Sequence, residues 1–281
     1  MELLDLHLGR PVHRRALSVF PVWTGAAVVT RGYDLRGDHV RVAERAGAAV
    51  AEELVVTNAG PRPALLLAGE LLEGGQQHRI AARSVLVGSG EAVVLDVRCV
   101  EEGRWSGSAD HIRRGRRAPG SVRAADDQSG VWQSVRRHEE RSGAGPTHSI
   151  LDATASVAER AERLIAGLRP LPFQCGVLIG VAGQPLLLEA FDSPRTLSHA
   201  WETLLTAAAS DAVDAAALPT PGRRARRFLD RATAVPLDSR EAGIASGLAG
   251  RSDKARLELL IWHGRAVHTV AANLRHELIA A

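Results

Sequence analysis

Lysine is almost missing from this 281-residue chain, Lys254 being the only one, so its basic balance (net charge +3) is carried by arginine. Such a bias follows GC-rich coding more readily than selection for a polyanion. Cysteine is also scarce. Cys99 and Cys175 alone exclude a disulfide framework and a four-thiolate zinc site, and they fit a reducing compartment. Long apolar runs are absent: Asp211 and Asp214 interrupt the alanine-rich segment after Trp201, leaving nothing near the ~20 apolar residues of a membrane span. Residues 1–8 carry acids where a secretory signal needs bases, so no signal peptide is expected. The expectation is a soluble, cytoplasmic protein. No Gly-x-Ser-x-Gly elbow, phosphate-binding glycine loop, dinucleotide fingerprint or zinc-like spacing occurs, and His263 and His268 are not spaced as a metal pair.

Hydrophobic residues make up 45% and charged residues 24% of the chain, the balance of an ordinary folded protein with one large or two modest domains. Up to about residue 120 the pattern is β-rich. Residues 17–23, 53–57, 64–67, 84–87 and 92–97 are short, branched or apolar, and bounded by Gly, Pro or Asn. Gly88 and Gly90 suggest a hairpin joining the last two, while residues 40–52 read as a helix or a connection. Residues 111–123, rich in arginine and glycine, read as an exposed connection.

Helical periodicity follows over residues 126–141, where Val131, Trp132 and Val135 share a face, and again from Ser149 to the prolines at 170 and 172. Residues 176–182 and 185–191 form a hairpin pattern around Gly183 and Gln184. Ser193-Pro194 reads as an N-cap with proline at the first helical position, and residues 257–262 and 266–271 form a last hairpin around Gly264. The predicted fold is α+β, with a mostly antiparallel sheet in residues 1–120 that carries the candidate site. A mixed helix and hairpin half follows in residues 121–281, packed with the first as one unit or standing as a second domain.

Residues 69–105 concentrate reactive polar side chains at the ends of the predicted hairpin. Glu70 and Glu73 follow an apolar strand and precede Gly74-Gly75; such carboxylates serve as acid or base, bind a metal, or solvate a turn. Gln77, Arg79 and Arg83 share a face if the segment is extended, and two guanidinium groups on one face suit a phosphate or a salt-bridge network equally. Cys99 is read as core before nucleophile, given the nearby carboxylates Glu101 and Glu102. Trp105 either stacks on a ring or closes the end of a barrel or sandwich. The arginine tracts at 113–117 and 223–227 lack a nucleic-acid motif and read as solvated faces.

Residues 69–79, 83–87 and 99–105, with 128–132 and 190–193, together resemble the ADP-ribosylglycohydrolase and rhodanese/phosphatase-superfamily-associated proteins, a bacterial family, over most of the chain from about Leu17. Glu70, Gln77, Arg79, Arg83, Cys99, Glu101, Gly103, Arg104 and Trp105 are the matching positions, and His78 stands where asparagine is the more frequent residue. The resemblance implies binding, and hydrolysis if any reaction occurs, of an ADP-ribose-like or other phosphorylated nucleotide or sugar at a glycosidic or phosphate ester bond. Glu70 and Glu101 would then be catalytic. Gln77, Arg79, Arg83, Arg104 and Trp105 would bind ligand, with Trp132 a second ring candidate. No metal site is expected, the cofactor is left unspecified, and the partner is a phosphorylated small molecule with no membrane or nucleic acid; a homo-oligomer stays open. The alternative is a non-catalytic binding or assembly module whose polar cluster is a structural ion-pair network.

Overall fold

A computed structural model describes residues 4–25, 27–28, 31–35, 37–47, 49–143 and 147–279. The fold is α+β, and its strands pair antiparallel throughout the named ladders. Two compact units divide it. The first comprises Met1–Arg31, Ala158–Glu241 and Ala245–Ala281, the second Gly32–Val157 with Ala242–Ile244. The compositional change near residue 120 falls inside the second unit.

The first unit is built on one sheet. Its order runs Leu6–Leu8, Leu17–Thr24, Gly176–Val181, Gln184–Phe191, Arg265–Asn273, Ala255–Trp262, Ala245–Arg251 and Asp238–Ala242, with Val12–Arg14 also pairing Leu17–Thr24. The two hairpins expected from sequence form. Their turns are Ala182-Gly183 and His263-Gly264, and all four residues have positive φ, the backbone that tight two-residue turns require. Gly222–Thr233 is helical because Ala225, Phe228, Leu229 and Ala232 recur on one face. They pack with Phe20, Val22, Leu178, Leu188 and Leu257 of the sheet, while the intervening arginines point to solvent. Pro194–Ala212 starts as the sequence indicates, with Ser193 accepting from the Arg195 amide at 3.3 Å and proline in the first turn.

In the second unit six strands close into a barrel, in the order Ala92–Cys99, Glu53–Asn58, Val40–Ala43, Asp110–Arg117, Glu70–Gly74 and Arg79–Ala81. Alternation divides their side chains. Val42, Leu54, Val56, Leu72, Ala81, Leu95 and Val97 form one core inside, while Leu71 and Ile80 face outward to Val122, Val131, Val135 and Ile150 of the flanking helices. Asp127 caps Gln128–Ser142 by accepting from the Gly130 amide at 2.8 Å, and Gly143 closes it in the left-handed conformation.

Three expectations about this unit are corrected. Val85–Val87 does not pair with Ala92–Cys99: it pairs with Ala64–Leu66, and Ala92–Cys99 pairs with Glu53–Asn58 and Arg79–Ala81. The intervening turn is real, but the Asn58 side chain takes up the Val87 and Gly88 carbonyls at 3.1 Å each and the two strands part there. Residues 40–43 are a barrel strand, because Val40 and Val42 alternate with arginine and find partners on both sides. The tract after His111 is also a strand, Asp110–Arg117, in which Arg113, Arg114 and Arg116 are tied to carboxylates across the ladder and Arg117 donates to the Ala68 carbonyl.

Gly69 carries φ +77°, and a Cβ there would lie 1.7 Å from the Cδ of Arg123. Gly69→Ala is therefore expected to cost about 1–3 kcal/mol through overpacking and backbone strain. Urea unfolding should show a lowered midpoint with an unchanged slope.

Candidate functional site

The barrel interior changes character at one end. Two residues beyond Ala81, Val97 and Val42 on their strands come Arg79, Cys99 and Glu44, which alternation places on the same inner side. Cys99 sits opposite Arg79 in the ladder, and His111 sits opposite both Val42 and Gly74. Arg79, Cys99, Glu44 and His111, joined by Gln77, thus make a buried polar layer above an apolar core. His111 Nε2 lies 3.1 Å from Glu44 Oε1, which also accepts from the Gln76 amide at 3.1 Å.

Arg79 is the centre of this layer. Its side chain is fully buried, and no carboxylate pairs with it among the described residues. Nη1 donates to Gln77 Oε1 at 2.8 Å, Gln77 Nε2 donates to the Glu101 carbonyl at 2.9 Å, and Nε and Nη2 of Arg79 have no hydrogen-bond acceptor among the described residues. Glu44 Oε2 is likewise buried without a donor. The guanidinium lies 5.3 Å from the ring centroid of Trp105, whose own side chain is 50% exposed. A cation under the face of an indole gains from the ring's quadrupole, so Trp105 lies over the one guanidinium in the layer that lacks a counter-charge.

Trp105 is held by Arg104. All five N–H groups of that arginine are engaged: Nε and Nη2 on the two Glu101 oxygens (2.8 and 2.6 Å), Nη1 on the Gly75 and Ser106 carbonyls (2.9 and 2.6 Å), and Nη2 again on the Gly74 carbonyl (3.3 Å). Nothing of Arg104 is left to bind a phosphate; it clasps the segment bearing Trp105 to the rim. Burial raises the Glu101 pKa, but hydrogen bonds from Arg104 and from the His78 amide (3.0 Å) outweigh it and hold the carboxyl below its ordinary value. His78 is pushed down by burial, against the pull of Glu101. Burial also pushes the Cys99 thiol up, with Arg79 opposing, so Cys99 is protonated at neutral pH and is no poised nucleophile.

Of the residues singled out from sequence, Gln77, Arg79, Glu101, Arg104 and Trp105 are brought together. Glu70 and Arg83 are not. Glu70 lies two residues beyond Leu72, the ladder partner of Arg79, and both its oxygens are taken by Arg113 at 2.8 and 3.1 Å, both side chains being buried. Glu73 faces outward to Arg114 and Arg116. Arg83 follows the end of its strand and pairs with Asp96 at 2.8 Å in solvent. Trp132 belongs to the helix packed on the outer side of the barrel, whereas Arg79 points inward. Glu44, His111 and Arg113 were not among the sequence candidates; the available signal was the alternation of Val40 and Val42 leading to Glu44. No group of three or more His, Cys, Asp or Glu among the described residues is placed to hold a metal ion.

The family described as the ARG and Rhodanese-Phosphatase-superfamily-associated Protein domain matches residues 5–272, and the chain belongs to that family. Comparison with curated proteins and with solved structures gives no match.

Two outcomes test these assignments. Glu70→Gln leaves a buried guanidinium without its counter-charge and is expected to cost about 3–5 kcal/mol in urea unfolding, whereas Arg83→Ala should change stability by less than about 1 kcal/mol. The lowered pKa of Glu101 means that its stabilising contribution is complete above the ordinary glutamate range and is lost as pH falls through its folded value. Urea midpoints measured from pH 7 to 3 should therefore fall less steeply in Glu101→Gln than in the wild type.

Proposed function

We propose that this family member is a binding module for an ADP-ribose-like or other phosphorylated nucleotide or sugar, with its anion on Arg79 and a ring of the ligand against Trp105. The observation that carries the reading is the fully buried Arg79, with two guanidinium nitrogens lacking acceptors and a half-exposed tryptophan above it. An uncompensated buried cation is costly, and a ligand anion that supplies the missing acceptors recovers charge-assisted hydrogen bonds in a low-dielectric setting. Gln77 orients the guanidinium, and Arg104 with Glu101 positions the tryptophan.

Hydrolysis is not assigned to the two carboxylates first considered. Glu101 is ionised at neutral pH and has no proton to donate, and both Glu70 oxygens are occupied by Arg113. A second reading, a structural ion-pair network without ligand, is favoured by the complete pairing of Glu70, Glu73, Glu101, Arg83 and Arg104. Arg79 is the residue on which the two readings part.

A thermal-shift screen with ADP-ribose, NAD, nucleotides and sugar phosphates separates them. At a hundred times its Kd a ligand adds about 2.7 kcal/mol to the stability of the native state. At least one compound is expected to stabilise the wild type and Arg83→Ala, but not Arg79→Met, and to act more weakly on Trp105→Ala. Because Arg79 lacks a counter-charge, ligand-free Arg79→Met should unfold no earlier than the wild type. Stabilisation by none of these compounds would leave the structural network as the better account.

A further inference from the structure

A second charged feature lies in the first unit and takes no part in the barrel site. Four arginines converge on one surface pocket of about 450 Å³: Arg14 and Arg15, from the turn between Val12–Arg14 and Leu17–Thr24, and Arg160 and Arg163, from Ile150–Ile165. Leu164 and Val213 add an apolar wall. The volume falls within the range of small-molecule sites. Charge is unbalanced there. Asp214, which also lines the pocket, pairs with Arg160 at 2.5 Å, and Glu159 pairs with Arg163, but neither Arg14 nor Arg15 has a carboxylate partner among the described residues. The pocket therefore holds two guanidinium groups in excess.

The backbone places Arg15 at the pocket. Arg15 has φ +50°, a left-handed conformation that glycine adopts freely and a long side chain adopts at a cost. Its side chain is exposed and makes no hydrogen bond or ion pair among the described residues that would offset that cost. Arg15 opens the two-residue turn that joins Val12–Arg14 to Leu17–Thr24, where a positive φ is what the tight turn requires, as at Ala182 and His263, and the turn brings Arg15 to the four-arginine pocket.

The geometry points to an anion site for a phosphate or pyrophosphate group of a soluble small molecule, held chiefly by Arg14 and Arg15. Arg160 and Arg163 form the opposite side, and Leu164 and Val213 meet the non-ionic part of the ligand. Guanidinium forks match phosphate oxygens in pairs, and two unbalanced positive charges suit a ligand of at least two negative charges. This site is separate from the one proposed at Arg79, and each can fail without the other.

Calorimetric titration with inorganic pyrophosphate at 50 and 150 mM NaCl tests it on the full chain. The titrations are made in the Arg79→Met background, which removes the anion site proposed in the barrel, and saturable one-site binding is expected there and with Arg226→Ala added, an exposed arginine on the helix Gly222–Thr233. Arg15→Gly and Arg14→Ala should each bind at least tenfold more weakly. Free Arg15→Gly should unfold at or above the wild-type temperature, since glycine relieves the left-handed backbone. The proposal is overturned if the Arg79→Met protein shows no saturable binding at millimolar pyrophosphate, or if Arg15→Gly binds with full strength. It is equally overturned if Arg226→Ala loses as much affinity as Arg15→Gly, which would mean generic charge attraction. Unfolding of Arg15→Gly below the wild-type temperature would make the arginine structural and also sink it.

Discussion

A guanidinium group cannot shed its charge, so an arginine inside a barrel needs acceptors wherever it is placed. That constraint organises the second unit. Arg113 reaches inward and finds both oxygens of Glu70, which ties the start of one strand to the middle of its neighbour by a buried bidentate pair. Removing either partner leaves a charge in a poor solvent, although an apolar pair of the same size would serve stability as well or better. The pair is therefore better understood as setting the register of Glu70–Gly74 against Asp110–Arg117 than as a source of net stability. Outside the barrel Glu73 meets Arg114 and Arg116, and the same ladder is repeated in a wetter setting where each pair contributes little.

How much of this was legible in the sequence depends on distance along the chain. Caps and tight turns are local: Ser193-Pro194 and the turns at Gly183 and Gly264 are each settled by residues within a few positions, and each forms as expected; the cap of Asp127 on the Gly130 amide, which the sequence reading did not name, is equally local. Strand pairing is not local. Val85–Val87 and Ala92–Cys99 are separated by a good turn, yet each finds a better partner elsewhere, because both faces of the shorter strand are buried and the longer one has an exposed face. The arginine tract at 113–117 looks like a solvated loop until Glu70 and Glu73, some forty residues earlier, are placed across the ladder from it. Propensity carries no record of such a partner.

The candidate site was legible for the same reason that it was incomplete. Cys99 opposite Arg79 brings residues 77–79 and 99–105 to one rim, so a cluster that is dense in sequence is also dense in space. Glu70 and Arg83 belong to the sequence cluster but leave it in the fold, since one lies further down the barrel and the other lies past a strand end. Glu44 and His111 enter it from strands that the sequence read as helix or connection. Their ion pair at 3.1 Å completes the polar layer, and no spacing in the chain announces it.

Arg79 and Arg104 show why residue type alone cannot assign a role. Both belong to the polar cluster at residues 69–105, and both were candidates for holding phosphate. In the fold Arg104 spends every donor on Glu101 and on three carbonyls, so that its charge is neutralised and its geometry is saturated. Arg79, buried more deeply, has a bond to an amide oxygen, the Cys99 thiol beside it and a ring above it, and no carboxylate among the described residues. A structural arginine is recognised by completeness and a binding arginine by what is missing, because a site must leave acceptors for its ligand to supply. By that criterion the saturated residue holds Trp105 in place, and Arg79, left with vacant donors under the ring, is the group toward which the rim is organised.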